Sequence, residues 1–413
     1  MAKQFPWPLN VGSRQRVFHL VKGIAAGHSV SMIALDAPPS EAALDEFVAA
    51  SGCTRVTCIP RPKPVPAPAS GVGRQFARAA RAGRAVTALV ASPLPSFVRE
   101  NWSDDVVHAI GAAAHGESVD LVYATQSWMA EHAKSAGLSP IAVDVDDLIS
   151  LMSRQRLATA PRGLRSRLAG LEADKGVAYE RSLPRRFARV VVAKNEDREF
   201  FPLSDRERVH VVPNGISIPT LPLPEPTVAN RLLFIGTLGY EPNIDAIRWF
   251  ATDVLPRIWE RRPDTMFDVA GFGSGSAVED VLSDPRCSLS ESPPDLTPFY
   301  SRAAVVVAPI RIGGGTRIKI LEALARGRAV VSTEFAAEGL GLRGDTDLVF
   351  ANRPDEIAEQ CIQLLDSPIR RGELAAIGRE SVAARFDWQQ IERTLPALIE
   401  TAVRSRSNDA QRN

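Results

Sequence analysis

The stretch AVVVAPIRIGGGTRIKILEALARGRAVVST, Ala304–Thr333, passes from an apolar run of strand length through three glycines into a helical pattern, then into a second apolar run. Strand, Gly-rich turn, helix and strand in succession read as a βαβ unit, the building block of a parallel sheet. Gly313, Gly314 and Gly315 let backbone N–H groups approach a ligand closely, and glycine reaches positive φ without steric cost. The helix start that follows favours an anion through its orphan N–H groups and macrodipole, and Arg317 and Lys319 add formal charge. Two readings stand at this point: a phosphate cradle, or an ordinary strand-to-helix turn with solvated cations. Thr316 is placed to cap the helix, and Gly327 to close it in the left-handed conformation. Ile318, Leu321 and Leu324 or Ala325 then face the sheet. Glu322 falls near the edge of that stripe, where a carboxylate needs a partner, and Lys319 and Arg326 are the local ones.

The same alternation runs through the whole chain. SVSMIAL, TRVTCI, VDLVYA, PIAVDV, ARVVVA and RVHVVP read as strands in the first half, and RLLFIG, MFDVAG, CSLS, AVVVAP, AVVST and DLVF in the second. Helical patterns lie between them, such as SRQRVFHLVKGIAAG with Val17, Leu20, Val21 and Ile24 on one stripe. This is the signature of α/β architecture with doubly wound parallel sheets. KPVPAPAS is read as a proline-rich loop, because the alternation resumes after it. PNGISIPTLPLPEPTVAN holds five prolines and no apolar period, which marks a boundary. The expected division is an N-terminal Rossmann-like domain over 1–213, a Pro-rich linker over 214–226 and a second Rossmann-like domain over 227–384. A closing helix over 385–413, with a frayed polar tail, is expected to pack back toward the first domain. Two such domains are expected to face each other across a cleft that binds ligand at the carboxyl ends of the strands.

The 413 residues carry a net charge of +1, so composition does not point to nucleic acid as a partner. The halves differ: 1–213 holds 27 Lys and Arg against 21 Asp and Glu, and the remainder 22 against 27. The excess concentrates in SRQRLATAPRGLRSRLAG, RSLPRRFARV and RQFARAARAGRAV, which read either as solvated helix faces or as contacts to an anionic membrane surface. Cys53, Cys58, Cys287 and Cys361 have no metal-ligand spacing and fit thiols kept reduced in a cytoplasm. The apolar runs are far shorter than a membrane span and the first residues lack a signal peptide's apolar core. The expected location is cytoplasmic, with peripheral contact at the inner membrane face as the sharper variant.

From Val211 to Leu340 the segments VVPNGI, LLFIGTLGYEPNIDAIRWFATDVLPRI, DVAGFGS, DLTPFYSRAAVVVAPIRIGGGTRIKILEALARGRAVVST and EGL follow one another as in family 4 (group 1) glycosyltransferases. FPWPLNVGSRQRVFHLVKGIAAGHSV, IAVDVDDL and RRFARVVVA resemble that family's first domain more faintly. The resemblance implies the GT-B fold and transfer of a sugar, with retention, from a nucleotide diphosphate donor to a saccharide or lipid-linked acceptor. Cell-surface polysaccharide or glycoconjugate synthesis is the implied setting. It further implies that Glu322 accepts hydrogen bonds from the donor ribose and that Gly313, Gly314, Gly315, Thr316, Arg317 and Lys319 surround the diphosphate. Gly271 and Gly273 lie close to the base or pyrophosphate in that scheme, and Leu296 borders the base pocket. Gly12 and Arg16 would start a helix at the donor phosphate or acceptor, with Gln126 and Asp144 lining the cleft.

The sequence also departs from the family's pattern. Gly314 stands where the first glutamate of E-x7-E would fall, as in the branch with the Gly-Gly-Gly-Thr-Arg loop. GTLGYEPN, after the first strand of the second domain, lacks the usual Arg and Lys pair, so Arg317 and Lys319 are expected to supply the countercharge that a diphosphate requires. Thr125 and Gln126 stand where relatives carry a histidine, and no catalytic residue is assigned. Asp144, Asp146 and Asp147 are read as caps or cleft lining, and no metal or other cofactor is expected beyond the nucleotide-sugar co-substrate. His28 reads as structural. MAKQF is a stub where the family has a full first strand, from which a weakened first sheet is expected. A non-catalytic sugar-nucleotide-binding or scaffold subunit is the alternative. A nicotinamide oxidoreductase is disfavoured, because G-x-G-x-x-G with its following acidic residue is absent after the first strand.

Overall fold

The computed structural model describes residues 1–9, 11–60, 92–159, 163–226, 229–313 and 318–410. The chain divides into two compact units: one formed by Met1–Leu9, Ser13–Val212 and Thr394–Asn413, the other by Asn10–Gly12 and Pro213–Arg393. The KPVPAPAS loop lies outside the described residues.

In the first unit, β1 (Ser31–Leu35) pairs in parallel with β2 (Arg55–Ile59). A second parallel sheet runs β3 (Val122–Thr125), β4 (Ile141–Val145), β5 (Arg189–Val192) and β6 (Val209–Val211) in sequence order. β4 is buried along its whole length and β5 along most of it, as expected for parallel strands covered on both faces. Met1 and Ala2 tie the two sheets together. Ala2 donates to Ile33 O at 2.8 Å and accepts from Leu35 N at 3.0 Å, while Met1 accepts from Thr125 N at 2.9 Å. The stub thus bridges the edges of β1 and β3, with Ala2 paired to Ala34. Beside it lies a cavity of about 500 Å³ walled by Val17, Leu20, Ile24, Ile33, Val122 and Ile399 among others. The helix Gly12–Ala25 buries Val17, Leu20 and Ile24 of the expected stripe, with Val21 partly covered.

The second unit has one six-stranded parallel sheet in the order β12-β11-β10-β7-β8-β9. Its strands are β7 (Arg231–Ile235), β8 (Met266–Gly271), β9 (Cys287–Glu291), β10 (Val305–Ala308), β11 (Ala329–Ser332) and β12 (Val349–Phe350). β10 and β11 are buried at every residue, and one continuous core joins both faces of the sheet. The proline-rich stretch is laced onto this unit: Leu223 N donates to Arg326 O at 2.9 Å and buried Arg328 donates to Pro224 O at 2.6 Å.

Candidate functional site

In the second unit the chain leaves β7 for β8 and β9 on one side, then returns to build β10, β11 and β12 on the other. The carboxyl ends of β7 and β10 are therefore the topological switch point, where open α/β sheets bind ligands. Three loops close on each other there, and the glycines explain how. A Cβ on Gly271, at the end of β8, would collide with the carbonyl of Gly236, at the end of β7. Gly313, at φ +100°, lies against Pro242, where a Cβ would come within 2.6 Å of that ring. Leu238 N completes the junction by donating to Phe272 O at 2.8 Å. Gly273 has φ +96° and donates to Ser292 Oγ at 3.0 Å, so its conformation belongs to the β8 turn.

Lys319 sits in the second position of the helix Ile318–Ala325 that follows β10. Its side chain runs back across the switch point to the loop after β7. There Nζ donates to Asn243 Oδ1 at 2.6 Å and lies 4.1 Å from the centroid of the Phe234 ring. A Cβ on Gly236 would stand 2.9 Å from that ammonium. Asn243 in turn donates through Nδ2 to Thr237 O at 2.8 Å. The sequence GTLGYEPN carries no cation of its own, yet the fold delivers one to it from 76 residues away.

Glu322 lies one turn further along the same helix. Tyr300, buried in the helix Thr297–Arg302, donates its hydroxyl to Glu322 Oε2 at 3.2 Å. The Arg326 guanidinium stacks over the Tyr300 ring at 4.7 Å. Burial pushes the Glu322 carboxyl above its ordinary range, against the opposing pull of Arg326, the Tyr300 hydroxyl and Lys319. Leu296 caps the Tyr300 helix through its carbonyl, accepting from Phe299 N at 3.1 Å and Tyr300 N at 3.2 Å, and packs on the core. Gly327 closes the Lys319 helix at φ +73°. Gly12 groups with this unit, where a Cβ would strike the Ile318 side chain.

In the first unit Arg16 and Asp144 face each other. Arg16 Nε donates to Asp144 Oδ2 at 2.9 Å and Nη2 to Oδ1 at 2.7 Å, while Nη1 donates to Val212 O at 3.0 Å. Both side chains are 2% exposed, so the guanidinium fork is engaged inside the unit. Burial alone would lower the Arg16 pKa, but Asp144 and Asp146 hold it above the ordinary arginine value. Gln126 follows β3 at φ +83°, a left-handed conformation that costs energy for a residue with a Cβ, and its N–H donates to Asp144 O at 2.8 Å. His28 contacts Pro396 O at 3.3 Å, in keeping with a structural residue.

The structure thus brings Gly271, Gly313, Lys319 and Glu322 to the switch point of one sheet, and pairs Arg16 with Asp144 elsewhere. Gly314, Gly315, Thr316 and Arg317 lie outside the described residues. Asn243 and Tyr300 were not singled out from sequence. Their residue types give no signal alone; only the neighbouring of the β7, β9 and β10 connections exposes them.

Residues 229–367 match the family model described as Glycosyl transferases group 1. An uncharacterized 44.6 kDa protein in the cps region of Klebsiella pneumoniae is 28% identical over 135 residues, which are 31% of this chain and 34% of that protein. A GDP-mannose-dependent monoacylated alpha-(1-6)-phosphatidylinositol monomannoside mannosyltransferase of Corynebacterium glutamicum is 26% identical over 162 residues, 36% of this chain and 42% of its own. The matches therefore span well under half of the length of either curated relative. Among solved structures, Anabaena Alr3699/HepE in complex with UDP and glucose superposes with a TM-score of 0.63 at 11% identity, covering 97% of this chain and 98% of that one. At that identity the likeness establishes the GT-B fold.

Proposed function

We propose that this chain, whose residues 229–367 are a group 1 glycosyltransferase domain within a GT-B fold, moves a sugar from a nucleoside diphosphate donor to a saccharide or lipid-linked acceptor. The observation that carries the reading is Lys319: its ammonium lies at the loop after β7, one helical turn from the Glu322 carboxyl. A cation and a carboxylate presented together at a switch point suit the two ends of a ribose diphosphate. The ammonium meets the phosphates, and the carboxylate accepts from the ribose hydroxyls. The GDP-mannose in the Corynebacterium relative's name and the UDP and glucose held by the Anabaena protein support a donor of this class.

In the reaction the bond between the anomeric carbon and the β-phosphate oxygen breaks, and an acceptor oxygen bonds to that carbon while its proton passes to the departing diphosphate. Negative charge grows on the departing diphosphate. An ammonium already in place stabilises the transition state more than the bound donor, which is how it raises the rate. Retention at the anomeric carbon and a role in cell-surface glycan synthesis complete the proposal.

A thermal-shift panel of UDP, GDP and ADP sugars tests it, since a ligand that binds only the folded state raises the melting temperature. At least one donor should raise it in the wild type, and Lys319→Ala should lose most of that shift together with release of nucleoside diphosphate in the presence of an acceptor extract. Wild-type turnover in Lys319→Ala overturns the assignment.

A further inference from the structure

Resting on that reading, we infer that Asn243 is a positioning residue that fixes the Lys319 ammonium at the loop after β7, where it serves a diphosphate lying over that loop. The arrangement joins two connections of the sheet. Asn243 lies near the start of the helix Glu241–Trp249 after β7, and Lys319 near the start of the helix after β10. The carboxamide is read unambiguously from its neighbours. An ammonium only donates, so it faces Oδ1; the Thr237 carbonyl only accepts, so it faces Nδ2.

Three of the described neighbours limit where Nζ can go. Phe234 offers a ring face beneath it, which attracts a cation. Gly236 offers no side chain, and a Cβ there would come 2.7 Å from Asn243 Nδ2 and 2.9 Å from Lys319 Nζ. Asn243 itself is buried. A neutral amide holds the ammonium in place without cancelling its charge, whereas a carboxylate at the same position would neutralise it. A lysine's four-carbon stem otherwise samples many rotamers, so anchoring it removes an ordering cost from anion binding.

The experiment measures inorganic pyrophosphate binding by calorimetry on the full chain, with Lys319→Ala, Asn243→Asp, Gly236→Ala and the double variant Asn243→Asp/Lys319→Ala. Pyrophosphate makes the result independent of the unknown base. Asn243→Asp should weaken pyrophosphate about tenfold or more, and Lys319→Ala added to it should cost little further, because the two changes remove one interaction. Binding of uridine or guanosine, whichever the wild type takes, should stay within about twofold; a merely structural role for Asn243 would weaken both probes together. Gly236→Ala keeps every charge and displaces the ammonium, so it should reproduce the loss even if Asn243→Asp proves poorly folded. If Lys319→Ala loses pyrophosphate while Asn243→Asp or a folded Gly236→Ala keeps wild-type affinity, the positioning role is overturned and the diphosphate site stands. If the wild type does not bind pyrophosphate and Lys319→Ala leaves nucleotide binding unchanged, the diphosphate reading falls and this role with it.

Discussion

Glu322 combines two opposed requirements. Ionised, it accepts most strongly from hydroxyl groups such as those of the proposed donor's ribose, yet burial raises its pKa, against the pull of Arg326, the Tyr300 hydroxyl and Lys319. Glu322→Ala should weaken nucleoside diphosphate binding by about tenfold or more, within the range for hydrogen bonds to a charged group, and leave inorganic pyrophosphate affinity unchanged. Calorimetry with the two ligands separates this from Lys319→Ala, which should weaken both. Because the carboxyl titrates above its ordinary value, the ribose contribution should fade at a higher pH on acidification than a solvated glutamate would allow. The helical spacing placed Lys319 and Glu322 on one helix, and the family resemblance, not the spacing, suggested phosphate and ribose for them. Their partners were not legible, since Asn243 and Tyr300 come from other connections of the sheet.

Among the elements, the helix Gly12–Ala25 meets the rest of the first unit through Arg16 as well as through its apolar stripe. The Arg16 fork clamps the end of β4 through Asp144 and the residue after β6 through the Val212 carbonyl. Removing one partner of such a buried pair leaves an uncompensated charge, at a cost of about 3–5 kcal/mol. Arg16→Met should therefore lower the unfolding temperature of the first unit by on the order of 10 °C. The double variant Arg16→Met/Asp144→Leu should recover much of the loss, as differential scanning calorimetry would show; equal loss in both would remove the clamp. The strands themselves were legible because parallel sheets covered on both faces are written as unbroken apolar runs, as in Val190–Val192 and Val305–Val307. The engagement of Arg16 was not, because arginine at a helix start looks the same whether it meets a phosphate or a buried aspartate.

Stability of the whole chain carries a pH signature from Glu180. This buried carboxyl, on the helix Leu164–Arg186, accepts from Ile149 N at 2.8 Å and Ser150 N at 3.2 Å at the start of the helix Ile149–Thr159. Burial raises its pKa from 4.5 to about 7, against the pull of those hydrogen bonds. The folded value lies above the unfolded one, so the contribution is complete below pH 4.5 and is lost as pH rises through about 7. The displacement corresponds to about 3 kcal/mol. Relative to Glu180→Gln, the wild type should thus lose stability between pH 4.5 and about 7, as paired denaturant titrations would reveal; a pH-independent difference would refute the shift.

The amino-acid sequence by itself determined the alternation of strands and helices, the glycines that let loops meet, and the placing of a cation and a carboxylate on one helix. Each of these is a local property, set by side-chain period and backbone freedom within a few residues. Tertiary structure alone decided which polar side chains meet. Lys319 finds Asn243 across 76 positions and Arg16 finds Asp144 across 128, because the order of strands in a sheet makes neighbours of chain segments that no spacing rule connects.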